Sequence, residues 1–111
     1  MKTAFIAALL IATTFPIHAE FMNGNQLLED LNGDVVAQMY AAGYVAGIVD
    51  GVTHMKKLGA KGGWCFSLPV VTNKQVADVV RLWLERNPAS RHYVATGLVS
   101  SALAESFPCK L

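Results

Sequence analysis

Hydrophobic residues recur at helical spacing in four stretches of the chain, and clusters of Gly, Pro and Asn separate these stretches. The first stretch is GNQLLEDL, residues 24–31, for which Asn23 or Asn25 is a suitable N-cap. Asn32-Gly33 predicts its end, because both residues tolerate left-handed backbone conformations. No useful length of chain alternates apolar and polar residues as a strand would. The pattern therefore predicts an all-α protein, a small bundle of about four helices.

The second stretch predicts a long helix from Val35 to about Lys57, with Asp34 as its N-cap. Glycines recur in it every four residues, which gives one smooth side to the helix; they are Gly43, Gly47 and Gly51. Each costs about 1 kcal/mol relative to alanine in a helix, so we expect tight helix–helix packing to offset that cost. The packing partner is a helix of the same chain or of a second copy.

A membrane-spanning segment over residues 35–52 is the alternative, since GxxxG spacing also mediates helix association in bilayers. Gln38 and Asp50 lie within that segment, and an aspartate near the bilayer centre is expensive. We therefore expect no membrane span in the mature chain.

The third and fourth helices are predicted close together in the C-terminal half. Thr72 and Gln75 have the spacing of a capping box, and the apolar period continues to Arg86. Asn87-Pro88 then fits a cap and a first turn, which predicts a fourth helix over residues 88–106 and a tight hairpin with the third. The apolar positions of this fourth helix are Val94, Leu98, Ala102 and Leu103. We expect Trp83, in the third helix, to belong to the core.

Residues 58–71 have no helical period and contain Gly59, Gly62, Gly63 and Pro69. A loop of this length is uncommon in a compact domain and is often functional. We expect its glycine-rich half, residues 59–63, to protrude.

The N-terminus has the order of regions found in a secretory signal. Met1-Lys2 is followed by nine apolar residues, 4–12, and then by a small residue at Ala19. Nine residues are too few to span a bilayer. We predict cleavage after Ala19, which leaves residues 20–111 as a single exported domain.

Composition supports an ordered domain that still has an apolar excess. The 111 residues are 53% hydrophobic and 15% charged, with a formal net charge of +1. Cleavage removes Lys2 and leaves a neutral chain, about half of which is apolar. A chain of this charge is unlike a disordered segment or a nucleic-acid binder.

The two cysteines predict a disulfide rather than a catalytic thiol. Exported chains meet oxidising conditions, and a Cys65–Cys109 bond would contribute about 4 kcal/mol by chain entropy. The alternative is a cysteine nucleophile paired with His54 or His92, which the position of Cys109 near the C-terminus disfavours.

No other pattern points to catalysis, a metal or a cofactor. The histidines are isolated, and no CxxC, HExxH or phosphate-loop motif is present. Asp50 and His54 are four residues apart and could pair on one helix face. Lys56, Lys57 and Lys61 form a small basic cluster, which is either a solvated helix end or a contact for an acidic partner surface.

The order of several motifs resembles the Rap/Tai immunity family, which are small periplasmic helical proteins that protect bacteria against amidase effectors of type VI secretion. The resemblance covers nearly all of the mature chain. The motifs are GNQLLEDL (24–31), GYVAGIVDG (43–51), WCFSLPVVTNKQVADVVRLWLERNP (64–88), SRHYVA (90–95) and ALAESFPCKL (102–111). The positions that match the shared pattern, most of which we interpret as scaffold, are Gly43, Tyr44, Gly47, Asp50, Asn87, Pro88, Arg91, His92, Phe107, Pro108 and Cys109.

The resemblance implies a non-catalytic homodimer that inhibits a papain-like peptidoglycan amidase by inserting a loop into its active site. Recognition of one particular toxin then falls to the loop between the second and third helices. We expect the partner-binding residues to be Lys57, Lys61, Gly62, Gly63, Trp64 and Phe66. Tryptophan is a common interface anchor, and glycines allow close approach to a cleft.

One departure from the family concerns a further cysteine pair, which would fall near Leu31 and Ala41 and is absent here. We expect apolar contact through Leu31 to hold the first two helices together instead.

The competing function is a small periplasmic chaperone or acid-stress protein, since such proteins are also short, exported and helical.

Overall fold

The computed structural model describes residues 21–66 and 70–110. Four α-helices account for most of this part: α1 (Gly24–Leu31), α2 (Val35–Lys57), α3 (Asn73–Arg86) and α4 (Ala95–Ser106). A short 3₁₀ helix, Pro88–Ser90, lies between α3 and α4. The predicted all-α bundle is confirmed. The predicted signal peptide lies outside the described residues.

Local side-chain caps begin three of the helices, as the sequence predicts. Asn23 accepts from the Gln26 backbone N–H, Asp34 accepts from that of Ala37, and Thr72 accepts from that of Gln75. The Gln26 and Gln75 side chains accept in return from the backbone N–H of Asn23 and Thr72, which completes two capping boxes.

The core lies where α1, α3 and α4 meet one side of α2. Leu31 and Ala41 are both part of it, so apolar packing does occupy the positions where a second cysteine pair was expected. Trp83 is half-buried at its edge, and its indole Nε1–H donates to Glu105 at 2.7 Å. The buried hydrophobic residues of the described part are Leu27, Leu31, Ala41, Val45, Trp64, Val76, Val80, Leu84, Ala95, Leu98, Val99, Ala102 and Leu103.

The predicted fourth helix over residues 88–106 is wrong in its first seven residues. Backbone groups there bond to the start of the described chain: Ala95 N–H donates to Met22 O at 2.8 Å, and Gly24 N–H donates to Tyr93 O at 3.1 Å. These bonds hold Asn23 and Val94 in an isolated antiparallel bridge. The helix therefore begins only at Ala95.

The tight hairpin of the third and fourth helices is wrong for the same reason. The 3₁₀ turn and the segment after it separate α3 from α4. The Trp83–Glu105 hydrogen bond joins the last turns of the two helices, whereas a hairpin would place the end of one beside the start of the other.

The glycines of α2 do not pack against any described part of the chain. Gly43, Gly47 and Gly51 are exposed, and a Cβ atom added to any of them would meet nothing within 4 Å. Among the described helices, α2 is also the one that is long and apolar enough to cross a membrane, with 11% of its most apolar stretch buried.

Candidate functional site

The candidate site is the segment that follows α2, residues 58–66, together with the C-terminal tail to which it is bonded. Three glycines in this segment have positive φ angles, which are 101° at Gly59, 94° at Gly62 and 76° at Gly63. Side chains other than hydrogen are strained in that region, so the local turns depend on glycine. Residues 58–63 are all exposed, as expected for a loop at the surface.

Backbone hydrogen bonds at the end of α2 fix where the loop begins. Leu58 N–H donates to the carbonyls of His54 and Met55, and Gly59 N–H donates to that of Lys56 at 3.0 Å. Ala60 N–H donates back to Met55 O at 3.0 Å. The last carbonyl groups of α2 therefore have hydrogen-bond partners where the loop begins. Residues 61–63 form the part of the loop that these bonds do not hold.

The far end of the loop is joined to the C-terminal tail. The predicted Cys65–Cys109 disulfide is present, with the two Cα atoms 4.8 Å apart. Cys65 N–H also donates to Phe107 O at 2.9 Å. A covalent bond and a backbone hydrogen bond thus hold the same two segments together.

Lys56 links the helix, the loop and the disulfide. Its Nζ atom donates to Trp64 O at 2.6 Å and lies 3.5 Å from Cys65 Sγ and 4.0 Å from Cys109 Sγ. The carbonyl bond is short, as expected for a charged donor. Lys56 therefore closes the loop from the helix side.

Aromatic rings pack beneath the loop. Phe66 meets Phe107 edge to face, with ring centroids 5.0 Å apart, and lies 6.4 Å from the Trp64 ring. Trp64 itself is 3% exposed and belongs to the core. A surface groove of about 460 Å³ remains above these rings; it is lined by Val52, Thr53, Lys56, Lys57, Trp64, Cys65 and Phe66.

The structure brings the predicted binding residues together but gives them two different roles. Lys57, Lys61, Gly62 and Gly63 are exposed at the surface. Trp64 and Phe66 instead support the loop from below, and Phe66 is half-buried. Contact between any of these residues and a partner stays a prediction.

Two further residues of the site come from the C-terminal tail. The disulfide brings Phe107 against Phe66 and places Lys110 next to Cys109. Once Cys65 and Cys109 are paired, the sequence neighbours of Cys109 are expected at the loop, and that signal was available in the sequence. The site also contains four lysines that form no ion pair with any described residue: Lys56, Lys57, Lys61 and Lys110.

The site has no recognisable catalytic or metal-binding arrangement within the described residues. No group of three or more His, Cys, Asp or Glu side chains there could hold a metal ion. Both cysteines are in the disulfide, so neither provides a free thiol nucleophile. Asp50 and His54, which could have paired, share no hydrogen bond in the part of the chain that is described.

The described residues form a small helical bundle with an exposed, basic loop that a disulfide joins to the C-terminal tail. The family model of the Rap1a immunity proteins matches residues 23–109, and the chain belongs to that family. This match confirms the resemblance to the Rap/Tai immunity proteins. No curated protein matches the sequence.

Proposed function

We propose that this protein is a periplasmic immunity protein that binds a type VI secretion peptidoglycan amidase and blocks its active site with the loop at residues 57–66. Its membership of the Rap1a immunity family is the observation that carries the proposal. The protein acts as a stoichiometric inhibitor and turns over no substrate.

The construction of the loop supports this mode of inhibition. An inhibitory loop must enter a cleft without losing much conformational freedom on binding, because ordering on association costs affinity. Here Lys56 and the disulfide hold the base of the loop, while Gly62 and Gly63 keep its tip narrow.

The charge of the loop end indicates the chemistry of the partner surface. Lys57 precedes the loop, Lys61 lies within it and Lys110 follows the disulfide-bonded Cys109, and none of the three forms an ion pair with a described residue. Such a surface is complementary to carboxylates, so we propose that the rim of the amidase cleft is acidic.

Coexpression in the periplasm with the amidase encoded beside this gene tests the proposal. We expect the protein to prevent lysis and to elute with the amidase on gel filtration. Continued lysis together with the absence of a complex would reject the proposed function.

The residue-level test replaces one exposed lysine of the loop. Lys61→Glu should weaken amidase binding by about 10- to 100-fold, since it places a like charge against the acidic rim. Lys74→Glu makes the same charge change at the start of α3, beside Val35 and Gln38 and away from the loop. Equal affinity of both variants for the amidase would show that the loop does not make the contact.

A second candidate function is favoured by the exposed apolar side of α2. Periplasmic chaperones bind unfolded clients through such surfaces, so an acid-stress chaperone would use Val36, Met39 and Tyr40. Suppression of aggregation of a client protein at low pH, without any protection against the amidase, would support this candidate over the immunity function.

A further inference from the structure

A charged side chain lies against both sulfur atoms of the disulfide. Lys56 Nζ is 3.5 Å from Cys65 Sγ and 4.0 Å from Cys109 Sγ. Lys56 forms no ion pair with a described residue, and a disulfide sulfur is a weak hydrogen-bond acceptor without charge. The ammonium group is therefore placed where a thiolate would carry negative charge if the disulfide opened.

Two hydrogen bonds that do not involve the sulfur atoms hold this arrangement in place. Lys56 Nζ donates to Trp64 O at 2.6 Å, and Trp64 is itself buried in the core. Cys65 N–H donates to Phe107 O at 2.9 Å. Because neither bond depends on the cross-link, we expect Cys65 to stay beside Lys56 after the disulfide has opened.

The two sulfur atoms differ in their surroundings. Cys109 is exposed, whereas Cys65 is half-buried and has the sulfur atom that lies closer to Lys56. In thiol–disulfide exchange an accessible sulfur is attacked more readily, and the sulfur that forms the more stable thiolate leaves faster. A neighbouring lysine stabilises a thiolate. Both properties favour attack at Cys109 and departure of Cys65.

We propose that Cys65–Cys109 is an exchangeable disulfide whose opening Lys56 promotes, and that its reaction partner is a dithiol, such as a protein with two neighbouring cysteines. A thiolate of the dithiol attacks Cys109 Sγ, the bond between the two cysteines breaks, and Cys65 leaves as a thiolate beside Lys56. The second thiolate of the dithiol then attacks its own sulfur in the mixed disulfide and releases Cys109. The protein is reduced by two electrons and the dithiol is oxidised by two, while the two thiol protons pass to solvent or to Cys109.

This exchange changes how the loop after α2 is held. In the reduced protein the far end of the loop keeps the bond from Lys56 and the backbone bond to Phe107, but it loses its covalent link to Cys109. The same two bonds keep the cysteine segments near each other, so an oxidant can close the disulfide again. The fixation of the loop thereby depends on the redox state of its surroundings.

The rate at which excess dithiothreitol reduces the protein, measured without any effector, tests the role of Lys56. Lys56→Met should slow reduction by about 3- to 10-fold, because the leaving thiolate loses its charge partner. Lys57→Met removes the same charge from the exposed neighbouring residue and should leave the rate at that of the parent protein. If Lys56 only braced the loop, its loss would expose the disulfide and speed reduction. A Lys56→Met rate that is unchanged or faster would overturn the proposal.

The direction of attack is tested by a monothiol, which stops the reaction at the mixed disulfide. After brief treatment with glutathione and an acid quench, peptide mass spectrometry should find glutathione on Cys109. Glutathione on Cys65 instead contradicts the assigned direction of attack.

The thiolate itself can be titrated in a Cys109→Ser protein, where Cys65 is a free thiol. Its pKa should lie below the ordinary value for cysteine, and a further Lys56→Met change should raise the pKa by about one unit. A Cys65 pKa that does not respond to Lys56→Met would show that the ammonium group does not stabilise the thiolate. Because no amidase is present in these experiments, their outcome is separate from the test of immunity.

Discussion

At the scale of single residues, Lys56 has the most connected role in the site. Its ammonium group holds the Trp64 carbonyl and lies beside both sulfur atoms of the disulfide. The neighbouring Lys57 is exposed and has no such bond in the described part of the chain. Two adjacent lysines therefore differ in function, the first as a structural clamp and the second as a candidate for partner contact.

Asp78 provides a residue-scale prediction because its pKa is shifted. The hydrogen bond from Lys74 at 3.0 Å is the largest cause, and Arg81 at 3.3 Å adds to it; together they outweigh partial desolvation and lower the pKa of Asp78 from its ordinary value of 3.8. A carboxyl group whose pKa is lower in the folded state stabilises the fold above its unfolded pKa. That stabilisation is lost as the pH falls through the folded value.

We expect Asp78→Asn to lower the free energy of unfolding at neutral pH by a few tenths of a kcal/mol, because these ion pairs are exposed. The difference from the parent protein should shrink as the pH falls from 7 towards 3, through the lowered pKa of Asp78. Urea denaturation across that range measures it, with Glu29→Gln as an exposed control that has no ion pair to a described residue. A difference that is the same at pH 7 and pH 3 would contradict this account.

At the scale of elements, the start of α1 depends on its contact with the segment before α4. Gly24 is buried, and an added Cβ atom would lie 2.9 Å from the Arg91 carbonyl oxygen and 2.5 Å from a methyl group of Leu98. The Arg91 side chain in turn donates to Leu84 O at 2.7 Å at the end of α3. One short segment thus connects three helices.

Two glycine substitutions should therefore have opposite effects on stability. Gly24→Ala should lower the free energy of unfolding by about 1–3 kcal/mol, because the backbone at Arg91 must move. Gly97→Ala should raise it by up to about 1 kcal/mol, because the helix gains propensity in open space. Chemical denaturation of both variants measures the signs, and a stabilised Gly24→Ala protein would show that the contact is loose.

At the scale of the whole molecule, the disulfide joins the loop after α2 to the end of α4 across 44 positions of sequence. Replacement of both cysteines by serine should lower the free energy of unfolding by about 4 kcal/mol, since the unfolded chain gains conformational freedom. We also expect faster amide exchange at residues 58–66. Unchanged stability and unchanged exchange would show that Lys56 and the Phe107 backbone bond are sufficient to hold the loop.

Much of this fold is predictable from the sequence because its signals are local. Asn23, Asp34 and Thr72 each cap a backbone N–H only three residues away, so the start of a helix depends on neighbouring residues. The predicted ends at Leu31, Lys57 and Arg86 agree with the structure for the same reason. The disulfide was predictable from the oxidising environment of an exported chain and from the number of cysteines, since two cysteines have one possible pairing within a chain.

The features that local patterns did not predict all depend on residues distant in sequence. Helix α4 begins at Ala95 because that residue's N–H and Tyr93 O bond to Met22 and Gly24. Trp64 is buried because its ring packs into the hydrophobic core that the helices form. Its position in a glycine-rich loop is more typical of an exposed interface anchor.

By itself, the sequence determined the helices except for the start of α4, the caps of the first three, the cross-link and the family, because each depends on neighbouring residues or on the order of motifs along the chain. Only the tertiary structure decided which side of α2 the core covers and which residues surround the loop. Burial and proximity depend on how the helices pack, and no local pattern contains that information. The exposure of Gly43, Gly47 and Gly51 and the contact of Lys56 with the disulfide are two results of that packing.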